Sequence, residues 1–400
     1  MNPLPLSGLL VVEFTHAVMG PSAGVILGDL GAEVIRLEPP NGDPTRRLKG
    51  MGAGYFTFYN RNKKSICLNL KDENAIKIAR DLVAKADILL ENFAPGTMDR
   101  LGLGFNTLKE VNPRLIYCSL KGFLDGPYQN RLAMDEVVQM MGGLAYMTGP
   151  TGQPLRAGTS IIDITGGMFG VIGILSALER RHHTGKGALV QSSLFETTAF
   201  SMGQHMAAQA NSGEAVPPMP ERKSAWSVYQ IYKTKDCKDI FIGIISDKQW
   251  ARFVEHFGVE RLQSNSELAS NEMRIAAKSW LQPLLVKRVN QLTLSEITHI
   301  CDVAQVCYAP VARPEDLFED PHLVASGGLL STQVADGSLA KLPNLPLAID
   351  GERVTLERHP PSAGENGRDI LVEMLGLCGD EIDSLVSRGV LSIPDGKTTK

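Results

Sequence analysis

Short apolar runs alternate with longer amphipathic segments along the first 125 residues of the chain. The runs predict buried strands at residues 9–14, 33–37, 65–70, 87–90 and 114–119. The amphipathic segments between them predict helices at residues 21–30, 74–86 and 96–111. Strands separated by helices of this length form βαβ units, so the pattern predicts an α/β fold with a parallel sheet.

Beyond this region the pattern becomes more helical. Residues 163–181 predict a long helix that contains several glycines. A polar stretch with three prolines at 211–224 favours a linker. After it, the runs 226–233 and 239–245 are typical of a hairpin, and helical segments follow. We therefore expect residues 225–325 to form a smaller α+β domain.

Composition and charge exclude some classes of function. Apolar residues make up 43% of the chain and charged residues 21%, which is ordinary globular usage. The net charge of −4 gives no basic surface for nucleic acid. The first residues lack the pattern of a signal peptide, and the apolar stretch at 168–178 is too short and glycine-rich to span a membrane. We expect a cytoplasmic protein that binds neither nucleic acid nor membrane.

The sequence shows no signature of a metal, a disulfide framework or a nucleotide cofactor. The six cysteines lie far apart with no C-x-x-C pair, so we expect reduced thiols. The eight histidines are dispersed apart from His182-His183, which is typical of a solvated edge. The segment Gly20-Pro21-Ser22-Ala23-Gly24 departs from G-x-G-x-x-G, because a proline stands where the backbone would approach a phosphate. We expect no permanently bound cofactor.

Polar and aromatic residues follow three of the predicted strands. His16 follows the first strand, Lys71 follows the strand at 65–70, and Asn92 and Phe93 follow the strand at 87–90. Ligands bind at the carboxyl ends of parallel strands, so these side chains share one edge, with Arg100 two helical turns further on. The set suits a ligand with phosphates and a stackable base. Taken alone, His16 is also consistent with a structural role.

Asp163 is the candidate nucleophile. It lies among isoleucines at the start of the long predicted helix, just before the glycine pair Gly166-Gly167. A carboxylate at this position is typical of a helix N-cap. It is equally consistent with a nucleophile in an apolar shell near backbone N–H groups. The spacing leaves both interpretations open.

A series of short motifs runs in fixed order along nearly the whole chain, from Leu6 to Val390. The motifs are Val12-Glu13-Phe14-Thr15-His16, Leu27-Gly28-Asp29-Leu30-Gly31-Ala32-Glu33, Gly42-Asp43, Asn62-Lys63-Lys64-Ser65-Ile66, Glu91-Asn92-Phe93-Ala94-Pro95-Gly96, Gly122-Phe123, Asp163 and Thr184-Gly185-Lys186-Gly187. They resemble class III CoA-transferases, the group that contains the formyl-CoA:oxalate, carnitine and succinyl-CoA:glutarate enzymes. On this resemblance the chain is identified as a member of that family.

The resemblance implies a Rossmann-like large domain built from residues 1–210 and 330–400, with the small domain inserted, in a homodimer of interlocked subunits. It also implies that acyl-CoA and a carboxylic acid are the substrates. Asp163 would attack the donor thioester to give a mixed anhydride and then carry CoA as an aspartyl thioester. The acceptor acid would reverse these steps, which gives ping-pong kinetics.

The same resemblance implies a set of CoA contacts. They are His16, Ala17, Leu68, Lys71, Asn92, Phe93 and Arg100. Pro39 stands where the oxalate enzyme has an arginine after the second strand. We expect Arg36, Arg46 or Arg131 to hold the phosphate there instead, or the phosphate to be held more weakly.

Substrate contacts are less well defined by the sequence. The segment 245–249 takes the place of a mobile family loop but lacks the glycine run of the oxalate enzyme, which argues against oxalate. We expect Gln249 to lie near the substrate, with a helix N-terminus capped by Asp247 as the alternative. Arg46 or Arg47 could pair with the distal carboxylate of a dicarboxylic acid, with succinyl-CoA as donor. Both arginines are equally compatible with solvent or CoA phosphates.

Two other functions share this resemblance. α-Methylacyl-CoA racemases pair the aspartate with a histidine in a Gly-His-Asp motif, where this chain has Ala133-Met134-Asp135. Met134 cannot accept a proton, which argues against two-base racemisation, although we expect Asp135 to contact the substrate. A catalytically silent CoA-binding protein would lack the nucleophile, and Asp163 is present.

Overall fold

The computed structural model describes residues 4–222, 224–263 and 265–394. These residues divide into two compact units. One contains the residues up to Glu221 together with those from Pro321 onward, and the other is Arg222–Asp320. The stretch predicted as a linker, 211–224, begins inside a helix that continues to Ser212.

A seven-stranded sheet lies at the centre of the first unit, and six of its strands run parallel. The parallel strands are β1 Leu10–Phe14, β2 Glu33–Glu38, β3 Lys63–Leu68, β4 Ile88–Glu91, β5 Ile116–Lys121 and β6 Ala188–Ser193. They lie in the order β3-β2-β1-β4-β5-β6. The prediction of an α/β fold with a parallel sheet is confirmed. Strand order reverses between β1 and β4, the point at which such sheets bind ligands.

Helices cover both faces of this sheet. The helices of this part of the chain are α1 Met19–Asp29, α2 Tyr55–Tyr59, α3 Glu73–Lys85, α4 Thr97–Arg100, α5 Phe105–Val111, α6 Asp135–Met141, α7 Leu144–Thr148, α8 Ile161–Thr184, α9 Leu194–Ser201 and α10 Gly203–Ser212. The continuous helix predicted over 96–111 is wrong. Between α4 and α5, Gly102 has a φ of +68°, a left-handed conformation that ends a helix.

Alternation along β1 divides the core between the two faces. Leu10, Val12 and Phe14 pack on the side of α3 and α5. Val11 packs on the opposite side, against residues of α1 and α8. Every residue of β1 is therefore buried, which explains why the strand is apolar on both faces, apart from Glu13, rather than alternating.

The second unit has its own antiparallel sheet and its own core. Its strands are β7 Val228–Lys233, β8 Asp239–Ile244 and β9 Cys307–Pro310, and its helices are α11 Asp247–Phe257, α12 Asn271–Ala276, α13 Lys278–Val289 and α14 Leu294–Ala304. Strands β7 and β8 form the predicted hairpin. Phe253 and Phe257 of α11 stack at the centre of the core, 4.7 Å apart.

The last part of the chain returns to the first unit. Its elements are α15 Pro321–Ala325, β10 Leu329–Gln333, β11 Leu339–Pro343, β12 Ala348–Ile349, β13 Glu352–Arg353, α16 Gly367–Leu375, α17 Gly379–Ser387 and β14 Leu391–Ser392. Strand β14 pairs antiparallel with β3 and forms the seventh strand of the main sheet. The C-terminal segment thus covers one edge of the sheet built by the first half of the chain.

Candidate active site

The carboxyl ends of β1 and β4 bring three of the predicted CoA contacts together. His16 follows β1, and Asn92 and Phe93 follow β4. The side chain of Asn92 bonds the backbone of His16 twice, since its Oδ1 accepts from the N–H and its Nδ2 donates to the carbonyl, each at 2.9 Å. The ring centroids of His16 and Phe93 are 5.9 Å apart. A histidine and an aromatic ring thus lie side by side where the strand order reverses.

The turn after β1 is tightly constrained. Ala17 has a left-handed φ of +60°, and a Cβ on Gly20 would lie 2.4 Å from the nearest side chain. The pKa of His16 is lowered, chiefly because its ring is partly removed from water; Asp43 opposes this effect and Arg36 adds to it. A ligand at this edge therefore meets a neutral imidazole at neutral pH.

A buried ionic cluster lies beneath this turn. Arg36 is fully buried and donates to Glu13 at 2.8 Å, to Asp43 at 2.5 Å and to Asn60 at 3.0 Å. Lys63, also buried, pairs with Glu13 at 2.8 Å. Burial lowers the pKa of Lys63 to about 8 although the charge of Glu13 opposes the shift. The expectation that Arg36 holds a CoA phosphate is wrong, because its guanidinium is fully buried and pairs with Glu13 and Asp43.

Arg46 is also committed to the protein. Its Nε and Nη2 donate to the two carboxylate oxygens of Glu38, at 2.8 and 2.6 Å, and its Nη1 donates to the carbonyl of Pro361 at 2.8 Å. The guanidinium lies 3.6 Å from the ring centre of Phe56. Arg47 donates to the carbonyl of Asn41 at 2.7 Å. These contacts account for Arg46 without a substrate, and the substrate contacts suggested for Arg46 and Arg47 stay predictions.

Exposed cations flank the pair of rings. Leu68 ends β3 with its side chain 1% exposed in the core, so its backbone alone lies at this edge. Lys71 is exposed in the turn that follows β3, and Arg100 is exposed at the end of α4. Since β3 and β4 lie on opposite sides of β1, the two charges stand on either side of His16.

Pro39 is exposed directly after β2, where the oxalate enzyme is expected to have its arginine. Arg131 is exposed too, with its guanidinium 5.0 Å from the ring centre of Tyr128 and 5.8 Å from that of Phe123. Of the three arginines suggested as substitutes, Arg131 is the one whose charge remains exposed.

Asp163 lies in the first turn of α8 but does not cap it. The cap comes from α6, because Oδ2 of Asp135 accepts from the N–H groups of Ile162 at 2.8 Å and Asp163 at 3.2 Å. The N-cap interpretation of Asp163 is therefore wrong. Burial raises the pKa of Asp163 to about 7, with the negative charge of Asp135 adding to the shift and Arg156 opposing it. A carboxyl half protonated near neutral pH is typical of catalytic positions.

Two further residues complete this end of α8, and no sequence pattern pointed to either. Gln139 of α6 is fully buried, donates to Oδ1 of Asp135 at 2.5 Å and accepts from the N–H of Ala157 at 2.9 Å. Arg156 places its Nη2 at 3.5 Å from the same Oδ1. Both oxygens of Asp135 are thus occupied within the protein, and its predicted contact with the substrate stays a prediction.

Close packing fixes α8 against the turn that carries His16. A Cβ on Gly167 of α8 would lie 2.2 Å from Oγ of Ser22 and 2.7 Å from the carbonyl of Met19, both on α1. Tyr59 of α2 packs with α1 in the same region. Burial raises the pKa of Tyr59 to about 12, and the charge of Asp163 contributes. Tyr59 therefore lies near enough to Asp163 for the two groups to interact electrostatically, which the sequence did not reveal.

Gln249 belongs to the second unit. Its Oε1 accepts from the N–H of Ile245 at 2.9 Å and its Nε2 donates to the carbonyl of Gln305 at 3.1 Å. The cap of α11 is Ser246, not Asp247, whose carboxylate pairs with Arg274 at 2.6 Å. The substrate contact of Gln249 stays a prediction.

By length and composition α8 could cross a membrane. Here, however, it packs on α1 and on the parallel sheet, and it carries the Asp163 carboxyl in its first turn. These contacts are those of a core helix.

Comparison with known proteins gives one consistent result. The profile of "CoA-transferase family III" matches residues 6–367. The chain is 30% identical to human succinyl-CoA:glutarate CoA-transferase over 98% of this chain and 90% of that protein. It is 36% identical to acetyl-CoA:oxalate CoA-transferase of Acetobacter aceti over 87% of this chain and 90% of that protein.

A solved structure agrees with these relatives. The crystal structure of a CaiB/BaiF family protein from Brucella suis has a TM-score of 0.84 and 32% identity, over 93% of this chain and all of that one. The resemblance drawn from the motifs is confirmed, and CoA thioesters are the substrates that such enzymes use. The chain belongs to CoA-transferase family III.

Proposed function

We propose that this enzyme moves CoA from an acyl-CoA donor to a carboxylic acid by covalent catalysis at Asp163. The observation that carries the proposal is the position of Asp163. It is a mostly buried carboxyl in the first turn of α8, and Asp135 and close packing on α1 hold that turn in place. Fixed geometry and exclusion of water are what a carboxylate nucleophile needs.

The first half-reaction uses two attacks on carbonyl carbons. An ionised oxygen of Asp163 attacks the thioester carbonyl of the donor, the C–S bond breaks, and CoA leaves as a thiolate. The thiolate then attacks the aspartyl carbonyl of the mixed anhydride. This second attack releases the donor's acid as a carboxylate and leaves CoA on Asp163 as a thioester.

The second half-reaction is the reverse with another acid. The acceptor carboxylate attacks the aspartyl thioester and expels the thiolate, which then attacks the acceptor's own carbonyl in the new anhydride. Acyl-CoA leaves and Asp163 returns as a carboxylate, with no other reactant consumed. Water would hydrolyse either intermediate. The burial of Asp163 therefore protects the anhydride and the thioester from water, and it also raises the pKa of the Asp163 carboxyl.

CoA would lie along the carboxyl ends of β3, β1 and β4. His16 and Phe93 offer adjacent rings for a stacked base, and Lys71 and Arg100 offer exposed charges for phosphates. Arg131 replaces Arg36 and Arg46 as the candidate for the phosphate that Pro39 cannot hold.

For the acids, we infer a small dicarboxylate acceptor with succinyl-CoA as donor. The human relative is named for succinyl-CoA and glutarate, and the Acetobacter relative for oxalate. Segment 245–249 has no glycine run, so we rank a four- or five-carbon acid above oxalate.

We also infer a homodimer in the cytoplasm. α8 exposes an apolar stripe to solvent, with Met168, Phe169, Ile172 and Leu175 each more than a third exposed. Such a stripe is typical of a surface that a second subunit covers. All six cysteines are free thiols, which fits a reducing compartment.

Mass spectrometry tests the reaction directly. The enzyme is incubated with succinyl-CoA and a panel of acids that includes glutarate, malate and oxalate, with Asp163→Asn in parallel. Glu179→Gln, an exposed change on the same helix, is the matched control. New acyl-CoA products with wild type and the control, but not with Asp163→Asn, support the proposal. Hydroxylamine trapping should mark the peptide that contains Asp163.

Product formation by Asp163→Asn at the wild-type rate would contradict this mechanism. Exchange of the α-hydrogen of a 2-methylacyl-CoA with D₂O, without transfer, would favour racemisation instead. Met134 lies where a racemase has its histidine and offers no base for that reaction.

A further inference from the structure

Arg156 lies in the loop just before α8, the helix that carries Asp163, and its side chain is bonded to that loop. Its Nε donates to the carbonyl of Ala157 at 3.0 Å and its Nη2 to the carbonyl of Thr159 at 3.1 Å. Both carbonyls belong to the loop that leads into α8. The guanidinium is thereby held in one orientation, 23% exposed, with Nη2 toward Asp135.

Two carboxyl groups share this small region. Asp135 is 5% exposed, and it accepts from the backbone N–H of Asp163 itself. Placing two carboxylates together away from water disfavours ionisation of at least one of them. The hydrogen bonds to Asp135 favour its ionised form, so Asp163 is the carboxyl group whose ionisation is disfavoured.

The groups that face Asp163 come from three elements. Asp135 comes from α6 and raises the pKa of Asp163, and Arg156 comes from the loop before α8 and lowers it. Tyr59 comes from α2, with Tyr55 beside it. Glu136, also on α6, lies 3.7 Å from Nη1 of Arg156 at an exposed position. Arg156 is thus the positive charge that balances this set.

We propose that Arg156 is a positioning residue that balances the charge of Asp135 and so keeps Asp163 ionised for attack on the thioester. This inference rests on the proposed function, because a carboxyl group must be ionised to act as the nucleophile. Without Arg156, the same carboxyl would hold its proton through the neutral pH range, and the enzyme would react only at higher pH.

A direct titration of Asp163 tests the inference without turnover. Protein labelled with [4-¹³C]aspartate is titrated by NMR, and the Asp163 signal is assigned by its loss in Asp163→Asn. Arg156→Gln should raise the midpoint by roughly one pH unit, whereas Arg156→Lys should stay within roughly half a unit of wild type. Arg180→Gln, which removes an exposed arginine from the same helix, is the matched control and should change nothing. Asp135→Asn combined with Arg156→Gln should return the midpoint toward the wild-type value.

The rate of CoA release from succinyl-CoA in a single turnover gives the kinetic counterpart. The acid limb of its pH profile should move with the titration midpoint in Arg156→Gln, while the rate at high pH stays within a few-fold of wild type. A purely structural role would lower the high-pH rate and leave the midpoint in place, which overturns the inference.

The two levels of the inference can fail separately. If wild type releases no CoA while the midpoint still moves, the proposed function fails and the role of Arg156 in the ionisation of Asp163 stands. If Arg156→Gln does not fold, Arg156→Lys decides the matter. In that case a rise of roughly one pH unit in the titration midpoint of Arg156→Lys, the shift expected when the charge is removed, contradicts the inference.

Discussion

The amide of Asn92 clamps the backbone of His16 through two hydrogen bonds of 2.9 Å, one accepted and one donated. The clamp joins β4 to the turn after β1 at the point where the strand order reverses. A side-chain amide fits because it alone offers a donor and an acceptor side by side. The predicted ligand residue Asn92 therefore shapes the proposed CoA-binding edge by holding His16.

Loss of this clamp should weaken CoA binding. Asn92→Ala removes both bonds, and a cost of about 1–2 kcal/mol corresponds to a Kd for CoA raised roughly 5- to 30-fold. Calorimetric titration with CoA measures it. Asn106→Ala, whose side chain only accepts from Lys109 at the surface, is the control. An unchanged Kd in Asn92→Ala would mean that His16 does not contribute to the ligand edge.

Activity should rise with pH through the neutral range. The nucleophile must be ionised, and the pKa of Asp163 is raised to about 7 by burial and by Asp135. We expect kcat/KM for succinyl-CoA to increase about tenfold per pH unit below 6 and to level off above 8. A profile that is flat between pH 5 and 8 would contradict the raised pKa.

The same shift affects stability. The folded protein holds the Asp163 proton more tightly than the unfolded chain, in which the pKa has its ordinary value of 3.8. Wild type therefore loses stability from this group as the pH rises from about 4 to about 7. Relative to wild type, Asp163→Asn should gain on the order of 4 kcal/mol in the free energy of unfolding at pH 8 and little at pH 4. Urea unfolding at both values checks the sign.

Gly167 is required by the contact between α1 and α8. A methyl group there would lie 2.2 Å from the hydroxyl of Ser22 and 2.7 Å from the carbonyl of Met19, and a backbone carbonyl cannot move aside. We expect Gly167→Ala to destabilise the protein by about 2–4 kcal/mol and to lower activity by displacing Asp163. Gly203→Ala, in a helix with open space around the glycine, should be neutral or slightly stabilising.

The sequence predicts the main sheet well because its strands are buried on both faces. Leu10 to Phe14 is apolar apart from Glu13, and such a run has few other interpretations. Strand β14 is two residues long and exists because β3 offers an unpaired edge, which no local pattern announces. The break between α4 and α5 depends on the left-handed φ of Gly102, whereas an isolated glycine in a helical pattern is also compatible with a helix.

The candidate site also has a part that the sequence predicts and a part that depends on tertiary contacts. Asp163 is found from its motif, but its environment comes from tertiary contacts. Asp135 and Arg156 come from positions 28 and 7 residues before Asp163 in the chain. Arg46 shows the opposite case. The sequence suggests this arginine as a substrate contact, but in the structure its guanidinium pairs with Glu38. A single sequence carries no sign of which partner a charge will take.

Arg46 should therefore affect stability more than substrate affinity. Arg46→Gln leaves the buried carboxylate of Glu38 without its bidentate partner, which should cost about 2–4 kcal/mol. The KM for the acceptor acid should stay within about twofold of wild type, because the guanidinium is already bonded to Glu38 and to the carbonyl of Pro361. Thermal unfolding and acceptor saturation curves separate the two effects. A large rise in acceptor KM with unchanged stability would restore Arg46 as a substrate contact.

Lys71 should act on CoA through its charge. It is exposed beyond β3, on the side of β1 opposite Arg100, and a charge-assisted bond to a phosphate is worth about 1.5–3 kcal/mol. Lys71→Ala should raise the KM for succinyl-CoA about tenfold and leave kcat nearly unchanged, because the contact is made in both the ground and the transition state. Raising the salt concentration should weaken wild type more than Lys71→Ala. Lys77→Ala, a change on the nearby helix α3, should match wild type in both respects. Equal salt dependence in Lys71→Ala and wild type would show that this lysine faces solvent and that Arg100 and Arg131 hold the phosphates.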